Sequence, residues 1–268
     1  MATLATVYAV RPVGRTATAS LSLFAKETKY EFLKLFRTRT FSLAVVGFPV
    51  MFYLIFGIAN RGAHQGQVDI SKYLLAGYAC SGMVSAALFG IGVGLASERS
   101  AGWLELKRAS PMPPLGYLLA KCITAQAFGM MVVAVLMALG MAFGGVHLQL
   151  REGTLLFLMP LVAAIPFAAM SLLIALVVPA NAASGIVNLI YMPMAVLSGL
   201  WLPLRMLPHW MQTFAPVLPA YHLSQITLGI FGYQDASSMT GHWFGLLGFT
   251  LLALGTSWAV FHRAEGNV

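Results

Sequence analysis

The chain has 268 residues, of which 59% are hydrophobic and 9% charged, with a mean hydropathy of +0.81. A soluble domain carries roughly 25% charged residues, so a water-soluble fold is excluded: it could not cover its surface. The net charge of +8 comes from 16 Lys+Arg against 8 Asp+Glu, but the basic residues flank apolar runs, which points to lipid headgroups and excludes a nucleic-acid reading.

Residues 1–40 are polar and basic, with no secretory signal pattern, and are expected to form a cytoplasmic N-terminal segment. Within it Leu21, Ala25, Thr28, Phe32, Leu35 and Phe36 recur at helical spacing, with Lys26, Lys29, Lys34 and Arg37 mostly off that stripe. This predicts an amphipathic helix along the membrane interface. Residues 41–268 form one transmembrane domain. A spanning helix needs about 20 mostly apolar residues, and six such runs occur, at 41–59, 73–96, 122–143, 154–178, 182–201 and 243–261. None contains Asp, Glu, Lys or Arg. The fold class is therefore an all-α integral membrane protein with six transmembrane helices.

Orientation follows from the loops. Twelve basic residues, among them Lys34, Arg99 and Lys121, fall on the side of the N-terminal segment, against Arg61, Lys72, Arg151 and Arg205 on the other. The bias places both termini in the cytoplasm of a multi-pass protein of the cell's inner (plasma) membrane. The fourth and fifth spans are joined around Pro179 and Ala180 and should form a tight hairpin. Pro160 and Pro166 should kink the fourth span and Pro193 the fifth. The stretch 202–242 is too apolar for a solvated loop and too broken by Pro203, Pro208, Pro216 and Pro219 for a span. Short helices at the outer interface or a re-entrant segment fit it, with Trp201, Trp210 and Trp243 suited to that depth.

Several chemistries are missing. No Gly-Lys pair occurs, so the chain has no P-loop. The six histidines show no metal-ligand spacing, Cys80 and Cys122 read as buried thiols, and no cofactor or metal is expected in this chain. Charge-free spans lack the carboxylate or histidine relays of proton-coupled carriers, so uphill movement of a solute would draw energy from a partner. The spans do offer polar stripes at 3/4 spacing: Tyr78, Ser81, Ser85, Phe89 and Gly92 in the second, and Asn181, Ser184, Asn188, Tyr191, Ala195 and Ser198 in the fifth. Each serves either as a packing seam or as a pathway for an amphipathic solute. Gly90-x-Gly92-x-Gly94, Gly140–Gly144 and Gly241–Gly245 read first as close-packing sites.

Between the second and third spans, Glu98, Arg99, Gly102, Trp103, Leu104, Glu105, Leu106 and Lys107 suggest a short mixed-face cytoplasmic helix stopped by Pro111. An aromatic anchor with charges of both signs suits docking into a cleft.

Here the sequence resembles the membrane (permease) subunit of a type-2 ABC exporter, over nearly the whole chain. The basic helix at 30–36 running into Phe48-Pro49 and Gly57 is similar to that family's first segment. Glu98-Arg99, Gly102 and the Ser110-Pro111 break resemble its coupling helix. Leu197-Ser-Gly-Leu-Trp-Leu-Pro203, Leu207-Pro-His-Trp210 and Leu218-Pro-Ala-Tyr-His-Leu223 resemble its outer re-entrant segment before the last helix, with Pro203, Pro208, Trp210 and Pro219 as its markers. The resemblance implies a six-span half-transporter that pairs with a second permease copy as a homodimer or heterodimer. Two ABC ATPase subunits would hold ATP and Mg, and helices one, two and five would line the cavity. The expected solute is hydrophobic or amphipathic: a drug, an antibiotic or a lipid. A lipid-linked glycan is the alternative, as is a membrane-embedded lipid-modifying enzyme built on His209, His222 and His242.

Overall fold

Six helices long and apolar enough to cross a membrane stand side by side in the computed structural model, which describes residues 17–103, 114–234 and 236–265. A separate helix, α1 (Ala17–Arg37), precedes them. The first four spanning helices are α2 (Arg39–Gly57), α3 (Ile70–Ser100), α4 (Leu115–Ala142) and α5 (Leu150–Val177). The fifth is α6 (Ala180–Leu197). Two shorter helices, α7 (His209–Phe214) and α8 (Pro219–Ile230), come before α9 (Ala236–Glu265), which contains the sixth span. Six crossings return the chain to the end it started from. The two ends of the bundle are called here the α1 end and, after the small antiparallel pair β1 (His64–Gln65) and β2 (Val68–Asp69), the hairpin end.

Four of the six spans outrun their apolar runs; α2 and α6 do not. At 31 residues, α3 is roughly 46 Å long, well beyond a hydrocarbon core of about 30 Å. Its ends therefore carry charges that hydropathy alone places in loops: Lys72 at one, Glu98 and Arg99 at the other. Likewise α4 includes Lys121. Capping fixes where the helices begin. The Asp69 carboxylate accepts the Lys72 amide at 3.2 Å and starts α3. Gln149 and Glu152 cap α5 reciprocally. The Lys72 ammonium then reaches the Glu152 carboxylate at 2.7 and 2.9 Å, tying the two caps together.

The bundle is built around α3. In its most apolar stretch 83% of residues are buried, against 22% for α2 and for the last span. Small residues let neighbours approach. A Cβ on Gly144 would lie 2.5 Å from the Tyr53 hydroxyl, and one on Gly140 would lie 2.4 Å from Leu75. Both glycines hold the fully buried Tyr53, whose hydroxyl meets Ser71 Oγ at 3.0 Å. The Gly140–Gly144 pair is thus a close-packing site inside one chain. Pro49 in α2 removes a backbone donor, and the preceding turn, Leu43–Gly47, widens to π geometry. Pro160 and Pro166 lie buried inside a continuous α5. Val177 and Ala180 bound the short α5–α6 connection.

The tightest approach of a glycine to a backbone atom predicts a large effect. A Cβ on Gly77 would sit 2.1 Å from the Leu200 carbonyl oxygen, a backbone atom that cannot swing away. Gly77→Ala is expected to cost about 1–3 kcal/mol or more through overpacking, read as a lower midpoint of thermal unfolding in detergent. Gly241→Ala, with nothing within 4 Å of its Cβ, should be neutral or slightly stabilising. Equal midpoints for the two variants would contradict this packing.

Candidate functional site

Two groups of side chains stand out, one at the α1 end and one between α3 and α6. At the α1 end, the last turn of α3, the first turns of α4 and the inner face of α1 converge. Lys121 is buried, with its side chain 1% exposed, and its ammonium pairs with Glu31 and, at 3.0 Å, with Glu98. Lys34 pairs with the same two carboxylates, at 3.2 Å from Glu31 and in closer contact with Glu98. The Tyr117 hydroxyl donates to Glu98, and the Lys121 ammonium lies 5.0 Å from the centre of the Tyr117 ring. Two ammonium groups and two carboxylates balance, as a buried cluster requires. Burial alone would push the Glu31 carboxyl up, but Lys121 and Lys34 outweigh it and hold the group below its ordinary value.

This geometry assigns roles that spacing could not. Glu98 and Arg99 do not sit on a free-standing surface helix: they occupy the last turn of α3 because nothing between Ala96 and Ser100 breaks it. Glu98 turns inward to the ion cluster. Arg99 caps the C-terminal end of α5, donating to the Leu176 carbonyl and, at 2.9 Å, to that of Val178. A guanidinium there satisfies orphan carbonyls and meets the negative end of the helix dipole. The break comes at Gly102, whose φ of +73° suits glycine. Trp103 follows with 55% of its surface exposed. Glu105 and Lys107 lie outside the described residues.

The α1 stripe divides between the bundle and the outside. Thr28, Phe32 and Leu35 face the bundle, and the Phe32 and Phe128 rings are 5.0 Å apart. Leu21 and Phe36 are exposed. The centre of the inner face is Glu31, which the apolar stripe passed over. Lys121 was missed too. The available signal was a lysine flanked by Leu118, Leu119, Ala120 and Ile123, a poor place for a loop charge.

The two polar stripes diverge. Tyr78, Ser81 and Ser85 are buried inside the chain, and Phe89 is half-buried. Ser81 Oγ hydrogen-bonds the Tyr191 hydroxyl and accepts Trp201 Nε1–H at 3.0 Å. The rings of Phe48 and Phe52 pack on Trp201 at 5.3 and 5.9 Å, and Phe89 meets Tyr191 at 6.0 Å. Thus Ser81 and Tyr191 come together in a knot joining α2, α3 and α6. Asn181, Ser184 and Asn188 do not join it: they lie exposed on the outer face of α6, beside an open Gly185.

In the segment after α6, Pro203 and Pro208 flank a single 3-10 turn (Leu204–Met206), and Trp210 is 64% exposed on α7. Pro219 opens α8, eight of whose twelve residues are buried. Ser224 Oγ reaches the Ser198 carbonyl, and Thr227 meets Cys80, so α8 packs into the bundle. His222 and His242 stand with their Nδ1 atoms 3.1 Å apart; His209 is exposed. Among the described residues no three His, Cys, Asp or Glu side chains group as metal ligands.

Residues 23–232 match the protein family described as ABC-2 type transporter. The chain is 29% identical over 203 residues to the Bacillus subtilis (strain 168) protein named "Putative transport permease YvfS", covering 75% of this chain and 82% of that protein.

Proposed function

This chain belongs to the ABC-2 type transporter family and is an ABC transporter membrane subunit, and on that premise we propose that it works as one half of an exporter for a hydrophobic or amphipathic solute. The family implies a partner ABC ATPase, and the ATPase, in two copies, would hold ATP and Mg. The α1 end faces the cytoplasm, with α1 at the membrane interface, and the α7–α8 segment is the outer re-entrant element. A second permease copy, identical to the first, completes the pathway. The solute is a drug, an antibiotic or a lipid.

One observation carries this reading. Asn181, Ser184 and Asn188 project from a bilayer-length helix with no covering protein in the single chain. Three polar side chains facing hydrocarbon are unfavourable, so such a stripe fits a second subunit or a wet cavity. The inward stripe on α3 instead holds the helices together, with Ser81 as its hub.

At the α1 end, the exposed Trp103 after the Gly102 break is the docking side chain. Glu98, Arg99 and the ion cluster hold the end of α3 rigid so that motion of the ATPase is passed to the spans. Co-reconstitution with a partner ABC ATPase tests this. Trp103→Ala should cut solute export at least ten-fold, as loss of an aromatic anchor does, while the subunit still inserts and basal ATP hydrolysis persists. Unchanged transport per ATP in that variant would overturn the docking assignment.

A further inference from the structure

At the hairpin end lies a cavity of about 160 Å³ that the transport reading does not use. Its walls come from the start of α3, the 203–206 turn, α8 and residues 233–234. The polar lining includes Tyr73, Arg205, Tyr221, Gln225, Tyr233 and Gln234, and no carboxylate. The hydrogen bonds leave a surplus of donors. The Tyr233 hydroxyl oxygen accepts the Asp69 amide at 3.2 Å, so its own proton is free to donate. Gln234 Nε2 gives one N–H to Gln225 Oε1 and keeps a second. Gln225, only 4% exposed, is further fixed by donating to Ser224 Oγ at 3.3 Å. Arg205 is exposed and makes no ion pair among the described residues. The nearby Asp69 carboxylate is engaged in capping α3.

Size narrows the ligand. Sites for drug-sized molecules run from about 300 to 1,000 Å³, so this cavity suits a headgroup and not a whole solute. Ile70 and Leu228 supply an apolar flank, and Tyr73 stands one turn into a membrane-length helix, where headgroups meet acyl chains. We propose that this cavity binds the phosphoryl headgroup of an anionic amphiphile, with Arg205 as its charge partner and Tyr233 and Gln234 as donors. Nothing in the site depends on the exported solute or on the ATPase.

The test uses the full chain, purified in detergent, stripped of lipid and titrated with phosphatidylglycerol or phosphatidylcholine, with bound lipid counted by native mass spectrometry. Wild type should retain phosphatidylglycerol in preference to phosphatidylcholine. Arg205→Gln should weaken that retention about ten-fold, the effect of losing one charge-assisted hydrogen bond. Arg205→Lys should keep part of it, and Arg151→Gln, an exposed arginine at the same end, should change nothing. Glycerol phosphate provides the soluble arm: competition would identify a free phosphoester as a sufficient ligand, and its failure to compete would assign the site to lipid. Absence of headgroup preference in wild type, or equal retention by Arg205→Gln, would overturn the proposal.

Discussion

Lys121→Met is expected to lower the midpoint of thermal unfolding by roughly 10 °C in detergent. Lys121 and Glu31 are both nearly inaccessible, with side chains 1% and 5% exposed. Removing one partner of a buried pair costs about 3–5 kcal/mol, because the other charge is left without compensation. Here two carboxylates are left, sharing the half-exposed Lys34 alone. Lys121→Met combined with Glu31→Gln keeps the Lys34–Glu98 pair and restores neutrality, so it should recover part of the loss. Lys121→Arg should fall between the two. A midpoint for the single variant within about 2 °C of wild type would show that the cluster is not formed.

The cluster also fixes an acid limit. The Glu31 carboxyl in the folded chain lies below its ordinary value of 4.5. Its contribution is therefore fully present above that value and is lost as pH falls through the lower, folded-state value. Wild type should lose stability on acidification in that window, and Glu31→Gln should show a flatter profile there. Because the cluster joins α1 to the end of α3 and the start of α4, its loss should also weaken coupling to the ATPase in the reconstituted complex.

The six spans were legible because each apolar run is long enough to cross a bilayer, and composition suffices to see that. Their true ends were not. Lys121 sits at the edge of an apolar run and so reads as a loop charge, yet the helix continues on both sides of it. Its partner Glu31 is 90 residues away, and no local pattern connects them. Glu98 and Arg99 stand out in the sequence, but a charged pair beside a span looks the same whether it faces a partner or folds back. The Arg99 contact with the Leu176 and Val178 carbonyls depends on where α5 ends in space. The polar stripes illustrate the limit most directly. The α3 and α6 stripes share one spacing, and spacing determines which residues share a face but not what covers that face. Since α3 is the central helix, its stripe is enclosed on every side, whereas α6 borders the bundle and exposes part of its own.

That difference separates two otherwise similar substitutions. Ser81→Ala removes the acceptor for Trp201 Nε1–H and the partner of the Tyr191 hydroxyl, leaving a half-buried indole N–H and a buried hydroxyl poorly satisfied. The cost is about 1–3 kcal/mol, and the single chain should lose thermal stability whatever its assembly. Tyr191 keeps a weaker contact to the Ser81 carbonyl at 3.3 Å, so Trp201 carries most of the loss, visible as a red-shifted tryptophan emission. On α6 the result should reverse. Changing Asn181, Ser184 and Asn188 together to Leu makes an exposed face more compatible with hydrocarbon. The single subunit should be as stable as wild type or more so, while the proposed paired form should be absent from mass measurements in mild detergent and the proposed solute export should fall to background. If the triple variant remained paired and active, the α6 face would have to be lipid-facing, and the second subunit would have to meet the chain through a different helix.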